Sequence, residues 1–226
     1  MNDLENYKVY EDSSIQIYRF VLPMIDSNMY LVIDEDRAII VDPNRSEDAL
    51  RLIRKKRIQT IMVVLTHEHY DHISGIEYYR TGEWAYSVIA HKKTAENINN
   101  PRKNLSAFHE ILMPQAVGFE IGNICQIDME VEKEYDFQFG SQCIHIMHTP
   151  GHSEGSVCVM VSNNIVFSGD TLVDGNKTIT RFPGGNRTQF CEITMPIIES
   201  WSDEIIILPG HGNKKRKREF VKELYG

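Results

Sequence analysis

The N-terminal part of the chain carries apolar residues in short blocks divided by polar turns. Ile15–Leu22, Met29–Ile33 and Ala38–Val41 are three closely spaced runs rich in β-branched residues, a pattern that predicts neighbouring antiparallel strands. The period then changes. Across Ser46–Arg57, Ala49, Leu50 and Ile53 fall on one helical stripe, and Ser46 stands where its hydroxyl can cap the first free amides. Thr60–Leu65 reads as a buried strand, Asp71–Tyr79 as the opening of a helix, Tyr86–Ala90 as a strand and Lys92–Ile98 as a short helix. A second β-rich part begins near Ile124 and holds Cys143–His148, Val157–Val161 and Ile165–Phe167. Thr188–Trp201 has helical spacing interrupted at Pro196, and Ile205–Leu208 is a final strand. This order predicts an α/β sandwich rather than one doubly wound sheet. The two β-rich halves suggest an approximate duplication, although no repeat is visible in the residues themselves.

The polar positions that interrupt this pattern carry the chemistry. Thr66–Gly75 reads THEHYDHISG, directly after the apolar run Ile61–Leu65. His67 and His69 are two apart, so in extended chain they face one side. Asp71 and His72 follow the turn and reach a neighbouring point. Four metal-binding side chains so arranged cannot all meet one ion, and the spacing predicts two adjacent ions. It is not the helical zinc-protease pattern, because Asp71 stands where the second helical histidine would fall.

Three later segments repeat the setting. A strand-like run ends in Thr149-Pro150-Gly151-His152, another in Ser168-Gly169-Asp170, and a third in Pro209-Gly210-His211-Gly212. Ends of strands in one sheet converge on one edge, and glycine permits the tight turns. His67, His69, Asp71, His72, His152, Asp170 and His211 therefore form one candidate metal constellation. His91, His109 and His145 lack this context and read as ordinary residues. Two ions about 3.5–4 Å apart would share a bridging hydroxide at neutral pH and polarise a carbonyl or phosphoryl oxygen. Asp71 would orient that hydroxide and take its proton. No serine or cysteine is required.

Composition narrows the setting. The ligands run from residue 67 to residue 211 of 226, so one domain spanning 1–226 is expected. Cys125, Cys143, Cys158 and Cys191 show no paired spacing and sit mostly in strand-like surroundings, predicting buried free thiols in a reducing compartment. Met1–Ser14 is polar and acidic, unlike a signal peptide, and no apolar run approaches membrane-spanning length. A cytoplasmic protein without a membrane partner is expected. The net charge of −8 argues against a nucleic-acid partner. Lys214–Arg218 is a local exception, read as the solvated first turns of a closing helix with Phe220, Val221 and Leu224 on its apolar side; a patch for an anionic substrate tail or RNA is the alternative. Asn99–Gly118 reads as a helix packed on the sandwich edge, with a mobile lid as the alternative.

The segments Thr66–Gly75, Thr149–Ser156, Ser168–Leu172 and Pro209–Gly212, in this order, resemble the metallo-β-lactamase-fold hydrolases. They are most similar to the glyoxalase II-like (hydroxyacylglutathione hydrolase-like) branch. Val41-Asp42-Pro43 and Asn28 before Tyr30 also fit, so the resemblance spans residues 28–212. It implies an αββα sandwich of two mixed sheets flanked by helices, with the metals at one edge. It further implies that His67, His69 and His152 hold one ion, that Asp71, His72 and His211 hold the other, and that Asp170 bridges them. Asp42 would orient the ligand loop; a turn-making aspartate before Pro43 is the alternative.

The activity so implied is a binuclear hydrolase with two Zn2+ per chain, iron or manganese being alternatives. Its substrate would be a small thioester or related acyl compound, or a lactone. Glyoxalase II proper has a helical C-terminal region that holds glutathione, whereas here only Asn213–Gly226 follow the last ligand, as in the shorter single-domain relatives. Many relatives carry a Gly-Arg pair followed by an acidic residue after the bridging aspartate. This chain has Thr180-Arg181-Phe182-Pro183 with no carboxylate beside Arg181, making Arg181 and Phe182 candidate substrate contacts. A mononuclear iron persulfide dioxygenase shares the fold and is the alternative function. Phosphodiester hydrolysis and a non-catalytic metal-binding partner protein rank below it.

Overall fold

A computed structural model describes residues 3–114 and 126–220. Strands β1 (Lys8–Glu11), β2 (Gln16–Leu22), β3 (Ser27–Asp34) and β4 (Arg37–Val41) form an antiparallel meander. Helix α1 (Glu47–Lys56) then carries the chain over to β5 (Thr60–Val64), parallel to β4. Ser46 caps α1 by accepting the Ala49 amide, and Arg57 closes it in the left-handed conformation. After α2 (Tyr70–Ile73), β6 (Ala85–His91) extends the sheet in parallel; α3 (Lys92–Asn97) and α4 (His109–Leu112) precede its last strand, β7 (Met129–Val131).

The second sheet starts with β8 (Glu134–Phe139), β9 (Gln142–His148), β10 (Val157–Val161) and β11 (Ile165–Gly169), all antiparallel neighbours. A helical run from Arg187 to Ser200 follows: α5 (Arg187–Gln189), a π-helical turn (Phe190–Thr194) and α6 (Met195–Ser200). Then β12 (Ile206–Pro209) lies parallel to β11, and β13 (Lys215–Arg216) pairs antiparallel at its outer edge. The sheets have seven and six strands, in orders β1-β2-β3-β4-β5-β6-β7 and β13-β12-β11-β10-β9-β8.

Alternation of side chains along the strands turns these sheets into layers. Val32, Ile39 and Val64 of the first sheet meet Ile146, Val159 and Phe167 of the second in a buried interior. The opposite face of the first sheet, with Leu31 and Ile40, packs on Ala49 and Ile53 of α1. The outer face of the second, with Met147, Cys158 and Ile207, packs on Phe190, Met195 and Ile198. This is the αββα sandwich expected of the chain, and the two β-rich halves of the sequence are its two sheets except that β7, in the second half, completes the first sheet.

Several local expectations are corrected. The helix expected over Asp71–Tyr79 stops at Ile73, because the Gly75 amide bonds the Pro43 carbonyl at 2.8 Å instead of continuing the helical ladder. A Cβ at Gly75 would overlap the Asn44 backbone, so this close approach needs glycine. Pro196 does not interrupt its helix. The Met195 amide reaches back five residues to the Phe190 carbonyl, and this π turn admits the proline at the start of α6, where its missing N–H is not required.

The basic run is divided between a strand and the expected helix: Lys215–Arg216 form β13, whose pairing with β12 satisfies their backbone, and the helix opens only at Lys217. Lys215 pairs with Asp174, Arg216 and Arg218 with Glu204, and Lys217 is buried with its Nζ on the Glu199 carbonyl. These charges brace the fold rather than form a free patch. Phe220 is buried as expected, while Val221 and Leu224 lie outside the described residues.

Of the cysteines, Cys158 is buried as expected, but Cys143 and Cys191 are exposed because they point away from the packed layers; Cys125 lies outside the described residues. Asn99–Gly118 is described only to residue 114, and there it forms turns and the single turn of α4 rather than a long helix. No described helix is long and apolar enough to cross a membrane.

Phe167 is fully buried between the sheets, its ring 5.2 Å from that of Tyr30. Phe167→Ala should lower unfolding stability by about 3–5 kcal/mol in urea titrations. A loss under about 1 kcal/mol would mean that the inter-sheet layer does not carry the fold.

Candidate metal centre

Strand direction explains why distant residues meet. Strands β9 and β11 both run antiparallel to β10, and β12 runs parallel to β11, so all three deliver their C-terminal loops to one edge. In the first sheet, β4 and β5 are likewise parallel. Asp42, His67, His152, Asp170 and His211 follow the ends of β4, β5, β9, β11 and β12 respectively. Cross-sheet bonds lock the loops together: the Val157 amide donates to the Thr66 carbonyl at 2.8 Å, and the Asn28 amide to the Gly210 carbonyl at 2.7 Å.

All seven expected residues are brought together. Donor atoms of His67, His69 and His152 form one group, and those of Asp71, His72 and His211 another; within each group they lie within 4.8 Å of one another. Asp170 stands between the groups, with Oδ1 3.5 Å from His72 Nε2 and Oδ2 3.4 Å from His152 Nε2 and 3.6 Å from His211 Nε2. Gly210 makes room for this approach. A Cβ there would overlap Asp170 Oδ1 and lie 2.8 Å from His72 Cε1.

Hydrogen bonds behind the imidazoles decide which nitrogen faces inward. His152 Nδ1 donates to the Ile179 carbonyl at 2.8 Å and His211 Nδ1 to the Asp26 carbonyl at 3.0 Å. His72 Nδ1 donates to Asp42 Oδ2 at 3.0 Å. His67 Nδ1 donates to Thr66 Oγ1 at 2.9 Å, whose own proton goes to Asp42 Oδ2 at 2.6 Å. Each of these four rings therefore turns its Nε2 lone pair towards the shared space, as a metal ligand must. His69 presents Nδ1 instead, 2.9 Å from His152 Nε2.

Asp42 also accepts the Thr66 amide at 2.7 Å and does so with a positive φ of 53°, a conformation aspartate tolerates better than most residues. It thus stands behind the donor cluster, bonding His72 directly and His67 through Thr66, rather than only making a turn before Pro43.

The donor set passes a direct test of fit to a metal. Of the atoms turned towards the shared space, His67 Nε2, His72 Nε2 and Asp170 Oδ1 are buried without a hydrogen-bond partner. Such atoms are costly unless something else satisfies them. Imidazole and carboxylate donors suit zinc, and iron or manganese as well.

The electrostatics agree. Burial, then the neighbouring imidazoles of His72, His69 and His152, hold His67 well below the ordinary histidine range, and burial holds His69 there too. Both are neutral, the form that ligates. Around the second group the carboxylates win against burial: Asp71, Asp170 and Asp42 keep His72 well above its usual value, and Asp170 with Asp71 raises His211 to about 9. Asp71 is held well below the usual range because His72 and His211 outweigh its burial. That point in the site calls for positive charge, which a divalent ion supplies on displacing those protons.

Two further residues hold the loops: Glu68, whose part was not visible in the sequence, and Asn28, which fitted the resemblance without an assigned role. Glu68, between the first two histidines, is fully buried; burial raises its carboxyl, and Ser153 Oγ donates to it at 2.9 Å, with Thr94 and Asn97 at 3.4 Å. It ties the His67 loop to the His152 loop and to α3. Asn28 fixes the third loop, its Nδ2 donating to the Pro209 and Gly212 carbonyls at 2.9 Å. Of the histidines read as ordinary, His91 lies stacked on His148 at 4.0 Å, His109 beside Tyr70, and His145 against Asp136.

The chain is similar to known proteins in sequence and in fold. A family model described as the metallo-beta-lactamase superfamily matches residues 23–213. The probable metallo-hydrolase YqgX of Bacillus subtilis is 27% identical over 190 residues, 83% of this chain and 86% of that protein. A hydroxyacylglutathione hydrolase of Pelagibacter ubique and the acyl-coenzyme A thioesterase MBLAC2 of Gallus gallus are each 27% identical over 65% and 68% of this chain, which covers only 52% and 57% of their lengths. The crystal structure of the BLEG-1 B3 metallo-beta-lactamase superposes with a TM-score of 0.77 at 26% identity, covering 91% of this chain and 96% of that one.

Removing the orienting carboxylate tests the arrangement. Asp42→Asn should lower zinc affinity about 10–100-fold in competition with a chelating dye while leaving the fold intact. Unchanged affinity would show that Asp42 only shapes its turn.

Proposed function

This chain belongs to the metallo-beta-lactamase superfamily, and from that premise we propose a single-domain binuclear hydrolase of the glyoxalase II-like branch that cleaves thioesters or related acyl compounds. The observation that carries this reading is the convergence of six donors in two groups with a seventh, the Asp170 carboxylate, between them. In this reading His67, His69 and His152 would hold one ion and Asp71, His72 and His211 the second, with Asp170 available to both. The similarity to a hydroxyacylglutathione hydrolase and to an acyl-coenzyme A thioesterase supports the thioester class.

Two divalent ions held there would supply a nucleophilic water at neutral pH and a Lewis acid for the substrate carbonyl. The protein's own groups do the rest. Asp71 lines the pocket, is kept ionised by His72 and His211, and is the group positioned to accept the proton of the attacking water. Ile25, Leu105 and Phe182 add an apolar wall to the cavity over the donors. The imidazoles keep their places because the Asp42, Thr66, Ile179 and Asp26 acceptors hold their outer nitrogens.

Zinc-loaded protein should hydrolyse acyl thioesters of small thiols, and chelation should abolish turnover. Asp170→Ala should lower kcat/KM by orders of magnitude and reduce bound metal with the fold retained by circular dichroism. An Asp170→Ala protein with normal metal content and normal turnover would contradict the bridging role.

A further inference from the structure

Four of the five imidazoles at the centre have a hydrogen-bond acceptor behind the ring, and His69 has none among the described residues. Its Nδ1 lies 2.9 Å from His152 Nε2, and its Nε2 is buried without a partner. The place of this ring is therefore set by its backbone. The side chain that anchors that backbone is its neighbour, Glu68, which lies fully buried between His67 and His69.

The Glu68 carboxylate points into the part of the molecule that carries the third histidine of the group. Its Oε2 accepts Ser153 Oγ at 2.9 Å, and Ser153 follows His152 directly. Ser153 is held in turn by Ser156, whose Oγ accepts the Ser153 amide at 3.0 Å and lies 3.0 Å from Ser153 Oγ. The other face of Glu68 rests on α3, with Thr94 and Asn97 each at 3.4 Å. Thr94 Oγ1 also donates to the Gly155 carbonyl at 3.1 Å, and a Cβ at Gly155 would overlap Thr94, so the His152 loop lies directly against the same helix. Helix α3 is itself fixed. His91 Nδ1 caps it by accepting the Lys93 amide at 3.1 Å, and the His91 ring stacks on His148, whose Nε2 donates to the Glu154 carbonyl at 3.0 Å.

The two halves of the centre thus have different supports. Asp42 bonds His72, and the Asp26 carbonyl holds His211, whereas the side-chain partners of Glu68 are Ser153, Thr94 and Asn97. Groups behind a ligand set its rotation and its hold on an ion, so separate supports predict separately adjustable affinities.

We propose that Glu68 is the positioning residue of the three-histidine half: by joining the His67–His69 segment to the residue after His152, it sets the affinity for the ion held there without setting that of the Asp71–His72–His211 half. This rests on the two-ion reading above. The carboxylate acts as a hydrogen-bond acceptor at the junction and touches neither ion nor substrate.

The test is zinc affinity, by competition with a chelating dye, in two backgrounds of the full chain. His211→Ala cripples the second half and leaves the three histidines, and His152→Ala does the reverse. Adding Glu68→Ala should lower affinity about 10–100-fold in the His211→Ala background and change it by less than about 2-fold in the His152→Ala background. Glu68→Gln keeps an acceptor for Ser153 and should restore the affinity to within about 2-fold. Where Glu68→Ala does not fold by circular dichroism, Ser153→Ala removes the 2.9 Å bond alone and should cost about 10-fold in the first background only. Equal losses in both backgrounds, no loss in the first, or a glutamine variant as weak as the alanine variant would overturn the proposal. A wild type that takes up one zinc, with the Glu68 effect intact, would uphold the positioning role and overturn the two-ion reading beneath it.

Discussion

Five imidazoles and two carboxylates share one point at the edge of the two sheets, and the rest of the structure answers to that crowding. Four of the rings and Asp71 are buried, and several of their donor atoms have no hydrogen-bond partner. In water each of these groups would be solvated, so gathering them is unfavourable unless a cation replaces the lost solvent. The first group, neutral because it is buried among its own kind, and the second, drawn towards positive charge by its carboxylates, are two halves of one demand. Stability of the loops and capacity for metal are thus the same property.

The fold supplies the rigidity that this demand requires. Each ligand loop leaves a strand end, and the strands share one direction within each sheet, so small errors in one loop are not multiplied along a flexible connection. Polar groups behind the ligands then set their rotation. Asp42 serves His72 directly and His67 through Thr66, Asn28 fastens the His211 loop, and Glu68 joins the His67 and His152 loops through Ser153. The loop after Asp170 holds His152 by a carbonyl.

Much of this was legible in the chain because the signals were dense. Four candidate donors within six positions, each later one beside glycine at the end of an apolar run, and a cap-plus-stripe pattern over Ser46–Arg57 are local features that survive folding unchanged. What was not legible depends on tertiary contacts. Ile73, Ile76 and Tyr79 have helical spacing and are buried, yet the chain turns there because the Gly75 amide finds the Pro43 carbonyl. The basic residues 214–218 look like one solvated face in sequence, but Lys215 and Arg216 are drawn into β13, and Lys215, Arg216 and Arg218 pair with Asp174 and Glu204. Pro196 reads as a break only if a π turn is not foreseen. Glu68 hid inside the ligand motif as a carboxylate that binds no ligand atom.

The metal content of protein purified without added metal or chelator, measured by elemental mass spectrometry, tests the central claim most directly. About two divalent ions per chain, with zinc expected, is the result that a binuclear hydrolase site predicts. About one iron per chain would contradict it and favour single-iron oxygen chemistry on the same fold.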